Sequence, residues 1–159
     1  MTASLHELAL RINDELIDLD RAVHKASNSW SVVRRGADDG DAYLDSVALN
    51  LHSFYSGLER LFELIARTVD DAVPAGESWH RELLAQMSRD MSEVRPAVIN
   101  AQNAHQLDEF RRFRHLVRNV YAADLIPTRM EGMLLALPDL WSGLRAELLA
   151  FATFLEQAA

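Results

Sequence analysis

The stretch VALNLHSFYSGLERLFELIARTV, residues 47–69, decides the fold. Val47, Leu51, Phe54, Leu58, Leu61, Ile65 and Val69 recur three and four positions apart, which lays one apolar stripe along a helix. It is the strongest periodic signal in the chain, and the same period continues on both sides of it. Upstream, Leu5, Leu8, Ile12, Leu16, Leu19 and Val23 define a first helix, which Ser27 to Trp30 either continue or break. Gly36-Ala37-Asp38-Asp39-Gly40 reads as a loop from its glycines and acids. Downstream, Pro74-Ala75-Gly76 closes the connection after the second helix. Ser78 is then a candidate N-cap for a third helix carrying Trp79, Leu83, Met87 and Met91. Arg95-Pro96 disfavours helix at the residue before the proline. A fourth helix is predicted from roughly Ala104 to Ala123. Pro127 opens a short helix with Met130, Met133 and Leu134, and Asp139, after Pro138, begins a last one with Trp141, Leu144, Leu148, Phe151 and Leu155. No period-2 segment, internal repeat or linker is visible. The expectation is one all-α domain over residues 1–159, an antiparallel bundle of four to six helices.

Composition narrows the chemistry. The 159 residues are 49% hydrophobic and 25% charged, as in a globular domain, and large enough to build a core without a metal or disulfide staple. With no cysteine there is no disulfide framework, thiol catalysis, thiolate zinc site or iron–sulfur cluster. No apolar run has the length of a membrane span, and Met1 to Leu16 carry acids where a signal peptide carries a basic region, so a soluble, cytoplasmic protein is expected. A net charge of −8 argues against nonspecific affinity for nucleic acid or anionic lipid over the whole surface. Yet there is one lysine, Lys25, and four arginines (Arg111, Arg112, Arg114 and Arg118) fall within eight residues, a local anion site in an acidic protein.

Other groups read as structural. There is no Gly-rich phosphate loop and no His-Glu-x-x-His pair. Glu77-x-x-His80 is half of a di-iron carboxylate motif that needs a second copy and further carboxylates, so no metal or cofactor is expected. His6, His24, His52 and His105 stand alone in helical patterns. Met87 with Met91 and Met130 with Met133 read as core filler, and Trp30, Trp79 and Trp141 as packing anchors, Trp30 also as a partner surface if exposed.

The fourth helix is organised. At about 100° per residue, Phe110, Phe113, Val117 and Val120 share an apolar face, and Arg114 and Tyr121 lie in line along its edge. Arg111 and Arg118 form the next row outward, and His115 and Asn119 are an i, i+4 pair further round. Arginines so stacked repel by about a few tenths of a kcal/mol per pair. Acids of another helix or of a second subunit, or a phosphate, would offset this; the plain alternative is a solvated face whose arginines pair with the 24 acids.

The octet Arg114-His115-Leu116-Val117-Arg118-Asn119-Val120-Tyr121 resembles the signature of HEPN-domain proteins, in particular HepT-like toxins. Those carry Arg, a polar residue, three further positions, His, any residue and Tyr on a late helix of an all-α bundle. Residues 51–60, Ser78 to Leu84 and Arg95-Pro96-Ala97-Val98 also resemble a HepT-like subfamily, so the likeness covers roughly 40 to 155. It implies a homodimer in which two copies of the motif line one cleft, and metal-independent cleavage of RNA, tRNA among the targets. It also implies neutralisation by a minimal nucleotidyltransferase antitoxin, in some members through AMP added to the tyrosine that matches Tyr121. Arg114 would stabilise charge on the phosphate, Arg111 and Arg118 would hold flanking phosphates, and His115 and Asn119 would serve the nucleophile and leaving group. The sequence departs from the signature at Asn119, which stands where the motif has histidine. An amide orients by hydrogen bonds but is no general base. His115 is the nearest titratable substitute; the alternative is a catalytically silent subunit that docks on the nucleotidyltransferase. Two motif helices flanking an open basic groove would fit the nuclease, whereas Arg114 buried against a carboxylate would fit the scaffold.

Overall fold

The computed structural model describes the backbone of residues 2–36, 38–119 and 127–159, and the side chains of 4–36, 38–114 and 127–159. The described residues form five α-helices and no strand: α1 (Thr2–Arg34), α2 (Gly40–Ile65), α3 (Trp79–Met87), α4 (Ala101–Asn119) and α5 (Pro127–Ala158). The all-α bundle is as expected, and no described helix is long and apolar enough to cross a membrane.

Periodicity placed the buried faces well. The α2 stripe is the centre of the core, with Val47, Leu51, Phe54, Leu58, Leu61 and Ile65 almost wholly buried. Each such side chain contributes about 1.5–3 kcal/mol by leaving water. In α1 the buried row runs past Val23 to Ala26 and Trp30, so the helix continues through the segment that the sequence left open. Trp30 is therefore core rather than partner surface. Ser29, at the same level, shares a hydrogen bond with Ser46 of α2 at 2.9 Å. Since Leu19 also packs on Gly57, α1 and α2 run antiparallel. At the other flank Trp141 Nε1 donates to Asp20 at 2.9 Å and His6 meets Glu156, so α5 runs antiparallel to α1 as well.

Three expectations are corrected. The sequence divides the C-terminal region at Pro138, but α5 runs unbroken from Pro127 to Ala158 with Pro138 inside it. Its buried row, Met130, Met133, Leu137, Leu140, Leu144, Leu148, Phe151 and Leu155, keeps one face toward α1 and α4, while Pro138 lies on the exposed side. Water there can serve the carbonyl that loses its donor, so packing outweighs the local cost of the proline. The second correction concerns the end of the α2 stripe. Past Ile65 the helix widens into a π-helical turn, Ala66–Asp70, that stops at Asp71 in the left-handed region, φ 51°. The third is that α3 ends at Met87; Ser78 holds the N-cap position without a side-chain cap bond, and Met91 lies beyond the helix in a short turn closed against Arg95.

That turn and the π-helical turn meet at a buried ion pair. Arg95 Nε and one terminal nitrogen donate to the two oxygens of Asp70 at 2.6 and 2.7 Å, and both side chains are wholly buried. The other donors of Arg95 go to the carbonyls of Gln86, Arg89 and Pro96, so all five N–H groups are used. Gln86 Nε2 completes the group by donating to Asp70 and to the Ala72 carbonyl. The clip ties the end of α3 to the end of α2, and so sets where the first turn of α3 meets the α2 face.

Candidate functional site

The site begins with a carboxylate on an apolar face. Tyr55, Leu58, Glu59 and Phe62 neighbour one another at helical spacing on α2, and all four are buried, Glu59 at 3% exposure. A lone buried carboxylate costs several kcal/mol, so partners on both oxygens are expected. They come from two other helices. His80, in the first turn of α3, donates from Nδ1 to Glu59 Oε2 at 2.8 Å. Arg114 of α4 donates from a terminal nitrogen to Glu59 Oε1 at 3.0 Å. One buried carboxylate thus carries an imidazole on one oxygen and a guanidinium on the other.

Neither partner is closed off. The side chains of His80 and Arg114 keep 28% and 18% of their surface, against 4% for Glu59, so the pair faces outward from a buried anchor. The His80 ring is further held by Trp79, whose ring lies 3.6 Å away, centre to centre, tilted by 31°. With Nδ1 donating to the carboxylate, Nε2 of the neutral ring holds the lone pair. His80 bonds Glu59 rather than Glu77, so the Glu77-x-x-His80 spacing does not form a metal half-site. Behind the pair, the Tyr55 hydroxyl is buried without a hydrogen-bond partner. Burial first, and then the charge and nearness of the Glu59 carboxylate, push its pKa above the ordinary tyrosine value, while Arg111 and Arg114 pull the other way. It stays protonated.

Two more arginines of α4 have described side chains. Arg111 Nε donates to Asp108 Oδ1 at 2.7 Å, and Arg112 leans on the other oxygen at 3.4 Å. Among the described residues, the acids that offset Arg111, Arg112 and Arg114 are thus Asp108 on the helix itself and Glu59 on α2. Phe110 and Phe113 are buried on the apolar face, where Phe110 stands edge-on to Phe54 with ring centres 5.7 Å apart. The backbone of His115, Arg118 and Asn119 continues α4, but their side chains, and Tyr121 entirely, lie outside the described residues. Of the sequence-predicted site, Arg114 and Arg111 are placed; Arg114 lies against a carboxylate, the geometry expected of a scaffold, though partly open.

Glu59 and His80 are not among the residues that the sequence singles out for this cluster, although both fall in stretches that carry the family likeness. A signal existed for Glu59. It interrupts the apolar side of α2 one turn from Tyr55 and close to Phe62, where a charge is tolerated only with a partner. His80 gave no such signal, because its partner is 21 positions away.

A family model described as HepT-like protein matches residues 46–155, which run from early α2 to the last turn of α5. No curated protein and no solved structure matches the chain. The match takes in about two thirds of the sequence and every residue of the Glu59 cluster, and with it the chain belongs to the HepT-like protein family.

Proposed function

We propose that this HepT-like protein is a toxin-type endoribonuclease that acts on RNA as a homodimer, without metal, and is neutralised by a nucleotidyltransferase antitoxin. The observation that carries the reading is the setting of Arg114. Glu59 accepts from one terminal nitrogen and fixes the side chain, Nε is buried without a hydrogen-bond partner, and 18% of the side chain stays exposed. A cation held in place beforehand stabilises charge that develops on a phosphoryl oxygen without reorganising as the reaction proceeds.

In this reading the ribose 2′-oxygen attacks the adjacent phosphorus and the bond to the 5′-oxygen breaks. The products are a 2′,3′-cyclic phosphate and a 5′-hydroxyl. Arg111 and Arg118 hold flanking phosphates, and His115 and Asn119 orient the nucleophile and the leaving group. AMP added to Tyr121 would bring negative charge to the motif and compete with RNA phosphate for its arginines.

The test is cleavage of tRNA by purified protein in the presence of a chelator. Arg114→Ala is expected to cut at least about 100-fold more slowly, the usual effect of losing one donor to a developing oxyanion. Equal, background-level cleavage by both proteins would remove the idea. One observation favours a second reading, a catalytically silent subunit that binds or regulates a nucleotidyltransferase: Glu59 already balances the Arg114 charge. Growth arrest on expression of the chain alone supports the nuclease and not the silent subunit.

A further inference from the structure

We propose that His80 is the general base of the site, in the role that Asn119 cannot fill. The inference rests on the nuclease reading above and adds a catalytic residue to it. Its ground is the shared carboxylate: Glu59 holds the imidazole of His80 on Oε2 and the guanidinium of Arg114 on Oε1. A base and a phosphate-stabilising cation are therefore fixed next to each other by one anchor, although they come from different helices.

Three features make His80 a base rather than a packing residue. Its Nδ1 is committed to the carboxylate, which selects the tautomer with the lone pair on Nε2. Glu59 is buried and Trp79 covers one face of the ring, so the imidazole has little freedom to turn. More than a quarter of the side chain stays exposed, which leaves a way in for a ribose. A carboxylate behind a histidine is the arrangement by which hydrolytic sites orient an imidazole and meet the positive charge it acquires.

The step balances as follows. Nε2 takes the proton of the 2′-hydroxyl as O2′ bonds to phosphorus. The P–O5′ bond breaks and its electron pair leaves on O5′. That oxygen takes a proton from water, and the hydroxide left behind takes the proton from Nε2. No water is consumed, and His80 returns to its starting state.

The experiment uses the full chain on tRNA, comparing wild type, Arg114→Ala, His80→Gln, His80→Ala and His115→Ala, with far-UV melting of each. His80→Gln keeps an N–H for Glu59 but has no base, and is expected to melt near wild type and lose 100-fold or more in rate, within the usual range for a general base. His80→Ala is expected to regain part of the rate when imidazole is added, which a purely structural role would not produce. His115→Ala, which removes an orienting group but not this base, is expected to lose clearly less rate than His80→Gln. If wild type cuts, Arg114→Ala does not, and His80→Gln matches wild type, the nuclease stands and the role of His80 is overturned. Loss of rate in His115→Ala with His80→Gln unaffected overturns it too, and assigns the base to His115. Background cleavage by wild type and Arg114→Ala alike ends the nuclease reading and this one with it.

Discussion

The Arg95–Asp70 clip predicts its own cost. Arg95→Met keeps most of the side-chain volume and removes all five donors. Asp70, wholly buried, is left with Gln86 as its side-chain partner, and the carbonyls of Gln86, Arg89 and Pro96 each lose a donor. Removing one partner of a buried ion pair costs about 3–5 kcal/mol, because the other charge stays inside without compensation. That is a large part of the roughly 5–15 kcal/mol that holds a domain folded. In a chain of this length it corresponds to a melting temperature lower by about 6–20 °C. Urea unfolding followed by far-UV circular dichroism measures the loss directly. Adding Asp70→Asn to Arg95→Met removes the stranded charge and is expected to recover about 1 kcal/mol or more. The clip also holds the end of α3, so hydrogen exchange over residues 79–87 should rise in the single variant. A loss under about 1 kcal/mol, or a double variant no better than the single, would refute the reasoning.

Four further outcomes are expected. Tyr55→Phe removes a buried hydroxyl that lies beside Glu59 without regular hydrogen-bond geometry, and should change stability at pH 7 by less than about 1 kcal/mol. The raised Tyr55 pKa also means that above about pH 10 the unfolded chain loses this proton and the folded one keeps it. Wild type should therefore lose stability from pH 10 upward, by about 1.4 kcal/mol per pH unit from this group, and Tyr55→Phe should lack that component in a series of urea midpoints. Gly57→Ala would bring a methyl to 2.9 Å from Leu19 Cδ2, a side chain packed in the core. Overpacking should outweigh the gain in helix propensity and cost about 1 kcal/mol, so a more stable variant would contradict the packing of α1 on α2. Pro138→Ala should stabilise by about 1–3 kcal/mol by restoring a helix hydrogen bond on the exposed side of α5, and an unchanged or lowered urea midpoint would count against the continuous helix.

Periodicity alone identified the bundle because which face of a helix is buried is a local property. The stripe from Val47 to Ile65 and the rows of α1 and α5 are written at intervals of three and four residues, and burial follows them. The helical wheel placed Arg114 at the edge of the apolar face of α4 in the same way, and its apolar neighbours Phe110 and Phe113 are buried as the wheel requires. Local rules were not enough where a distant contact outweighed them. Pro138 reads as a break, but packing against α1 holds α5 in one line. The turn after Ile65 reads as plain helix, but Asp70 has to meet an arginine 25 residues away.

By itself, then, the sequence determined an all-α chain, the buried side of each helix and an arginine on the edge of α4. Only the tertiary structure decided what that arginine faces. Glu59, His80 and Arg114 lie on three helices, separated by 21 and 55 positions in the chain, and no spacing rule connects them. The physical reason is the cost of a buried charge. Once Glu59 is folded into the core it must find donors, and the packing of α3 and α4 against α2 determines which ones are within reach.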